Sequence, residues 1–122
     1  MNTELTKGRK TTGWVLAGLL TAMLLFSAMG KFTMPEMIEN FTKSGLDDWR
    51  IIIAIGEIMA TLLFLLPKTN ILGSFLLSSY FGGAILMHMT TGESIMVPTI
   101  LLIVIWITTF VRNPELLAKF KS

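Results

Sequence analysis

Residues 49–66 read WRIIIAIGEIMATLLFLL, and this stretch decides the fold. As an α-helix its 18 residues extend roughly 27 Å, close to the ~30 Å hydrocarbon core of a membrane. Glu57 lies inside it, where an ionisable group costs at least ~2.5 kcal/mol and usually faces a bundle interior or a wet cavity. Glu57 is therefore the first candidate for a functional residue.

Three further apolar runs cover residues 13–30, 71–89 and 94–111. Backbone groups in lipid need internal hydrogen-bond partners, so each run is predicted to be a helical span. The composition also indicates a membrane protein. Of the 122 residues, 15% are charged, against ~25% in a soluble domain, and 52% are hydrophobic. Short links at 67–70 and 90–93 make neighbouring spans antiparallel. We predict one all-α membrane domain, residues 1–122, built as an antiparallel four-helix bundle with short cytoplasmic tails.

The link from residue 31 to 48 is the longest one. Pro35 is suited to open a helix, and Met34, Met37, Ile38 and Phe41 fall on one face of it. This pattern predicts an amphipathic helix at about 34–44, lying in the membrane interface between spans one and two. A partly ordered loop is the alternative.

Basic residues at positions 7, 9 and 10 precede the first run, which leaves a cleaved signal peptide as an alternative. The run is longer than the ~7–15 apolar residues of a typical signal, which favours a span. With four spans, seven Lys and Arg residues lie on the side of the termini and three on the other side. The positive-inside rule then predicts a multi-pass protein of the cell (inner) membrane with both termini cytoplasmic.

The residue inventory excludes several chemistries. The chain has no cysteine, which excludes disulfides, thiol redox chemistry, thiolate metal sites and iron–sulfur clusters. Its single histidine, His88, excludes an all-histidine metal site and a bis-histidyl haem. No phosphate-binding loop and no Ser-His-Asp arrangement occur. We expect no metal, no covalently bound cofactor and no nucleic-acid partner.

Helical spacing predicts that three inward stripes meet in the outer half of the bundle. Small residues dominate the stripes, which allows close packing of helices. Their members are Ala17, Thr21, Leu24, Ala28 and Lys31; Ala54, Glu57, Ala60 and Thr61; and Leu77, Tyr80 or Phe81, Ala84 and His88.

The predicted ligand-binding residues are Lys31, Glu57, Tyr80 and His88, bounding an outward-opening cavity under the 34–44 helix. More ordinary alternatives stay open. Lys31 can be an interfacial anchor, His88 an interfacial polar residue, and Glu57 a structural hydrogen-bond partner of Thr21 or Tyr80.

Three segments, AMGKF (28–32), GEIMATLLFLLP (56–67) and GGAILMHMTTGE (82–93), resemble the DoxX-like family of small four-helix membrane proteins. The resemblance covers residues 14 to about 112. It implies a four-helix membrane bundle, and it carries over Lys31, Glu57 and His88 without settling their roles. Family members have been linked to membrane oxidoreductase complexes and quinol oxidation. The broader superfamily looks related to membrane chaperones that assist receptor assembly.

The leading hypothesis is an accessory component of a quinone-linked membrane redox complex or of membrane-protein assembly. Whether the chain is itself an enzyme stays open. A quinone or other lipophilic small molecule would use Tyr80, His88 or Glu57 as hydrogen-bond partners and Phe81 as a wall. The alternative is a small proton-coupled multidrug-type transporter that uses Glu57; a purely structural protein is a third reading. Expected partners are the lipid bilayer, a membrane protein and a second copy of the chain.

Overall fold

The computed structural model describes residues 6–121 and is all-helical, as predicted. Its helices are α1 (Lys7–Thr33), α2 (Pro35–Lys43), α3 (Arg50–Leu65), α4 (Asn70–Thr91), α5 (Met96–Arg112) and α6 (Pro114–Lys121). A single 3₁₀ turn, Asp47–Trp49, leads into α3. No strand occurs among the described residues.

Two helices, α1 and α4, are long and apolar enough to cross a membrane. The other two long helices are shorter than the 18 or 19 residues predicted: α3 has 16 residues and α5 has 17. Their ends explain the difference. The 3₁₀ turn takes the first residue of the predicted second span, and α3 stops two residues before Pro67. Ser94 accepts a hydrogen bond from the backbone N–H of Met96, the first residue of α5, whose N-cap Ile95 makes no side-chain cap bond.

The four long helices share one core. α1 packs against α3 and α5, and α4 packs against the same two helices. Each of these four helices contributes to the buried cluster, which contains Ala17, Leu20, Leu24, Ala60, Phe64, Leu77, Phe81 and Ile105. The stripe predicted on the first helix is buried from Ala17 to Lys31. The small residues predicted beside Glu57 are buried as well.

Gly73 sets the closest approach between α3 and α4. A Cβ atom at this position would fall on the backbone of Phe64, which cannot move aside. Only a residue without a side chain therefore allows these two helices to pack at this distance.

The helix predicted at about 34–44 is present as α2, so the loop alternative is wrong. It begins at Pro35, and Gly45, with φ of 74°, follows its end. Phe41 is buried, and the sulfur atoms of Met34 and Met37 lie against Gly30 near the end of α1. These contacts hold α2 across one end of the bundle.

Candidate ligand-binding site

An ion pair between Lys31 and Glu57 forms the polar centre of this end of the bundle. The Lys31 Nζ lies 2.8 Å from Glu57 Oε1, and the two side chains are 7% and 0% exposed. Glu57 is the eighth residue of α3, about 10 Å below its start by helical rise. The long lysine side chain covers this offset by turning into the bundle. Its ammonium group is thus buried beside Glu57 and is not exposed at the end of the bundle.

Two hydroxyl-bearing side chains surround the pair. Lys31 Nζ also donates a hydrogen bond to Ser27 Oγ at 3.1 Å and lies 5.1 Å from the centre of the Tyr80 ring. An ammonium group has three N–H donors. Glu57 and Ser27 accept from two of them, and the third has no hydrogen-bond partner among the described residues. Glu57 Oε2 is buried and has no hydrogen-bond partner among the described residues.

Thr21 was one of the two partners proposed for a structural Glu57. Its hydroxyl is buried and makes no hydrogen bond with any described residue. Thr61 bonds the backbone carbonyl of Glu57 rather than its carboxylate. The direct hydrogen-bond partner of the carboxylate is Lys31. Tyr80, the other partner proposed for Glu57, also lies close enough to interact with the carboxylate.

Arg50 fixes the end of α1 at which Lys31 stands. Its Nη1 donates a hydrogen bond to the backbone carbonyl of Lys31. An arginine at the start of α3 thus satisfies a carbonyl at the end of α1, which would otherwise have no helical partner. In the sequence Arg50 is only one of the basic residues beside the apolar runs. Its role depends on which helix ends meet, and no local pattern shows this.

A cavity of about 520 Å³ opens beside the ion pair. Its wall contains Lys31, Tyr80 and His88 from the predicted set, with Ser27 added. α2 covers it with Met37 and Phe41, and α5 closes one side with Val97, Pro98 and Leu101. Glu57 was predicted to bound the cavity, but it is absent from the wall because Lys31 lies in front of it.

His88 stands at the outer end of the cavity. Its Nδ1 donates a hydrogen bond to the Ser94 carbonyl at 2.9 Å, and Glu93 Oε2 lies 3.7 Å away. A carbonyl oxygen can only accept, so Nδ1 carries a proton. The contact with Ser94 also joins the end of α4 to the segment before α5.

The floor of the cavity is open beside the two adjacent glycines of α4. Gly83 lines the cavity, and no atom lies within 4 Å of a Cβ built on either Gly82 or Gly83. No group of three metal-ligating side chains occurs among the described residues. The site thus combines an ammonium group, a phenol, an imidazole and the carboxylates of Glu36 and Glu93 with mainly apolar walls, which suits an uncharged ligand with polar ends.

Comparison with known proteins adds one finding. The DoxX-like family matches residues 15–108, which is most of the chain. Neither the curated proteins nor the solved structures gave a match. The family match spans most of α1, all of α2, α3 and α4, and most of α5, the helices that build the cavity. This chain therefore belongs to the DoxX-like family and is a DoxX-type membrane protein.

Proposed function

We propose that all four long helices cross the cell membrane, with both termini in the cytoplasm. Each helix directs large apolar side chains away from the shared core, represented by Phe26, Met59, Leu86 and Ile103, all more than half exposed. Exposed apolar surface on every side of a bundle suits lipid rather than water. The seven-to-three distribution of Lys and Arg supports the orientation.

We further propose that the cavity binds a quinone or a similar lipophilic ring, and that the protein serves a membrane redox complex as an accessory component. The observation that carries this proposal is the third N–H of Lys31, held at the cavity wall while the other two are used. A quinone has two carbonyl oxygens at opposite ends of a flat apolar ring. One would accept from Lys31, and the ring would lie between Tyr80, Phe81 and the α2 side chains.

The size of the cavity fits this class of ligand. About 520 Å³ falls within the ~300–1,000 Å³ of small-molecule sites. The isoprenoid tail of a quinone would leave toward lipid, since the surrounding outer faces are apolar. A role in membrane-protein assembly would use the same surfaces, but no contact in the cavity favours it over ligand binding.

The transporter alternative has a weaker basis in the geometry. Proton coupling through Glu57 needs a carboxylate that meets both the substrate and the proton pathway. Lys31 separates Glu57 from the cavity and holds one of its oxygens at 2.8 Å. The proposed redox role does not need Glu57 to titrate, because the carboxylate only positions the ammonium group.

A matched pair of glycine substitutions tests the ligand proposal. Gly83→Leu places a side chain in the cavity without a clash, whereas Gly82→Leu adds the same side chain outside it. Both changes replace glycine in the same helix, so their effect on helix propensity is the same. The measurement is the quinone content of protein purified in mild detergent, together with binding of added ubiquinone or menaquinone.

We expect Gly83→Leu to lose at least tenfold in quinone affinity, which corresponds to ~1.4 kcal/mol, and Gly82→Leu to bind like the wild type. Equal binding by the two variants, or no quinone binding by the wild type, would refute the proposal. Drug binding that depends on pH and on Glu57 would favour the transporter instead.

A further inference from the structure

A second cavity lies at the opposite end of the bundle, where the described N-terminal and C-terminal helices meet the turn between α3 and α4. Its volume is about 420 Å³. The residues that line it are Lys10, Trp14, Pro67, Asn70, Arg112 and Asn113. None of them takes part in the quinone site, which lies near the other ends of the same helices.

Fixed polar groups form the base of this second cavity. Arg112 donates from Nη1 and Nη2 to the carbonyls of Phe64 and Leu65, each at 2.7 Å, and its guanidinium carbon lies 5.5 Å from the Trp14 ring centre. Asn70 and Asn113 bond each other through their buried side-chain amides. The guanidinium group is therefore held in place before any ligand arrives, with three of its five N–H donors not used by those carbonyls.

Positive charge is concentrated at this end of the molecule. Among residues 6–119 the helix ends and turn here carry six basic side chains and one acidic side chain, Glu115. The basic ones are Lys7, Arg9, Lys10, Lys68, Arg112 and Lys119. Lys10 is exposed at the cavity rim and has no ion pair or hydrogen bond through its side chain with any described residue. A cavity with one fixed and one uncommitted cation suits a phosphate group.

Trp14 indicates that such a phosphate would belong to a lipid headgroup. Its side chain is 44% exposed, and its ring lines the same cavity as the two cations. Tryptophan at the end of a membrane helix lies at the depth of the lipid headgroups. Basic pockets between helices at that depth bind anionic headgroups.

We propose that this cavity binds the phosphate of an anionic phospholipid, with Lys10 and Arg112 contacting the phosphate oxygens and Trp14 contacting the glycerol and upper acyl region. The site goes beyond the proposed quinone function and does not depend on it. A zwitterionic lipid carries the same phosphate but compensates it with its own ammonium group. The site therefore discriminates by net headgroup charge.

Native mass spectrometry of the full-length protein in detergent tests this proposal. Phosphatidylglycerol and phosphatidylcholine with identical acyl chains are titrated separately, and a third series contains inorganic phosphate. The informative variant is Lys10→Gln, because Lys10 supports no described contact. Lys68→Gln is the matched control, since it removes an exposed lysine at the same end but outside the cavity.

We expect one phosphatidylglycerol to bind in preference to phosphatidylcholine. Lys10→Gln should weaken its binding about fivefold, and Lys68→Gln less than twofold. Equal weakening by the two variants would overturn the proposal, because the effect would then be one of net charge. Equal affinity for the two lipids, or displacement of phosphatidylglycerol by millimolar phosphate alone, would overturn the lipid assignment.

Discussion

Removing one member of the Lys31–Glu57 pair should be far more harmful than removing both. Losing one partner of a buried ion pair costs ~3–5 kcal/mol, because the other group must stay buried without its counter-charge or change its protonation. Glu57 is fully buried and its second oxygen already has no partner among the described residues. Tyr80 and Ser27 also interact with the carboxylate, but neither carries a positive charge that could replace the lysine. We expect Lys31→Met and Glu57→Leu each to lower the free energy of unfolding by about 3 kcal/mol.

The double variant Lys31→Met/Glu57→Leu leaves two apolar side chains of similar length in contact. Such replacements of buried pairs are often neutral or stabilising. The double variant should therefore lose less stability than either single variant, which makes the coupling free energy at least about 3 kcal/mol. Reversible unfolding in mixed micelles, with rising sodium dodecyl sulfate and helicity read by circular dichroism, measures all four proteins. Additive losses in the double variant would refute the reasoning.

Infrared spectroscopy gives an independent reading of the same pair. In Lys31→Met, Glu57 has no cation beside it, and burial then favours the neutral acid over the carboxylate. A carbonyl band from a protonated carboxyl group should appear near neutral pH and be absent from the wild type. Lys43→Met is the control, since its partner Glu39 is exposed and the distance is 3.5 Å. An identical carboxyl titration in wild type and Lys31→Met would show that the pair is not coupled.

Three further predictions concern packing and orientation. Gly73→Ala should destabilise the protein by at least ~1–3 kcal/mol in the same unfolding assay, because the added Cβ meets the backbone of Phe64. Arg112→Lys should cost about 1–3 kcal/mol, since lysine cannot donate to two carbonyls in the same fork geometry. In intact cells, a membrane-impermeant thiol reagent should label Thr90→Cys but not Lys68→Cys, and the absence of native cysteine removes background.

A specific result would contradict each of these predictions. Gly56→Ala is the control for Gly73, since no atom lies within 4 Å of its Cβ and alanine should stabilise the helix by up to ~1 kcal/mol. Equal effects at the two glycines would contradict the close approach of α3 and α4. An Arg112→Lys variant as stable as the wild type would mean that water satisfies the α3 carbonyls. Labelling at position 68 alone would reverse the proposed orientation.

The inward faces of the helices could be predicted from the sequence because helical periodicity alone decides them. The small residues around Glu57 are spaced three or four positions from it, and the structure buries them together. The distance between Lys31 and Glu57 depends on how far α1 extends and how α3 is offset. The structure continues α1 to Thr33, past the predicted end at residue 30, and this places Lys31 within the last turn.

The arginine contacts could not be predicted in the same way. Arg9 donates to the carbonyls of Phe110 and Val111, and Arg112 to those of Phe64 and Leu65. In the sequence these residues are only basic side chains beside apolar runs, which the positive-inside rule already explains. Their acceptors are backbone groups more than 40 positions away. Only the arrangement of helix ends brings them together.

Side-chain hydrogen bonds fix α5 to other helices at one end of the bundle only, and this affects how α5 can move. Near the termini, side-chain hydrogen bonds join α5 to each of its neighbours, through Arg9, Arg112 and the pair of hydroxyls on Ser74 and Thr109, 2.6 Å apart. Among the described residues, no side-chain hydrogen bond joins positions 96–102 of α5 to another long helix. At the cavity, the short link after α4 and the His88–Ser94 hydrogen bond hold the start of α5 to α4. We therefore expect α5 to move away from α1 at this end. A flat molecule would then enter sideways from the hydrocarbon between α1 and α5, without crossing water.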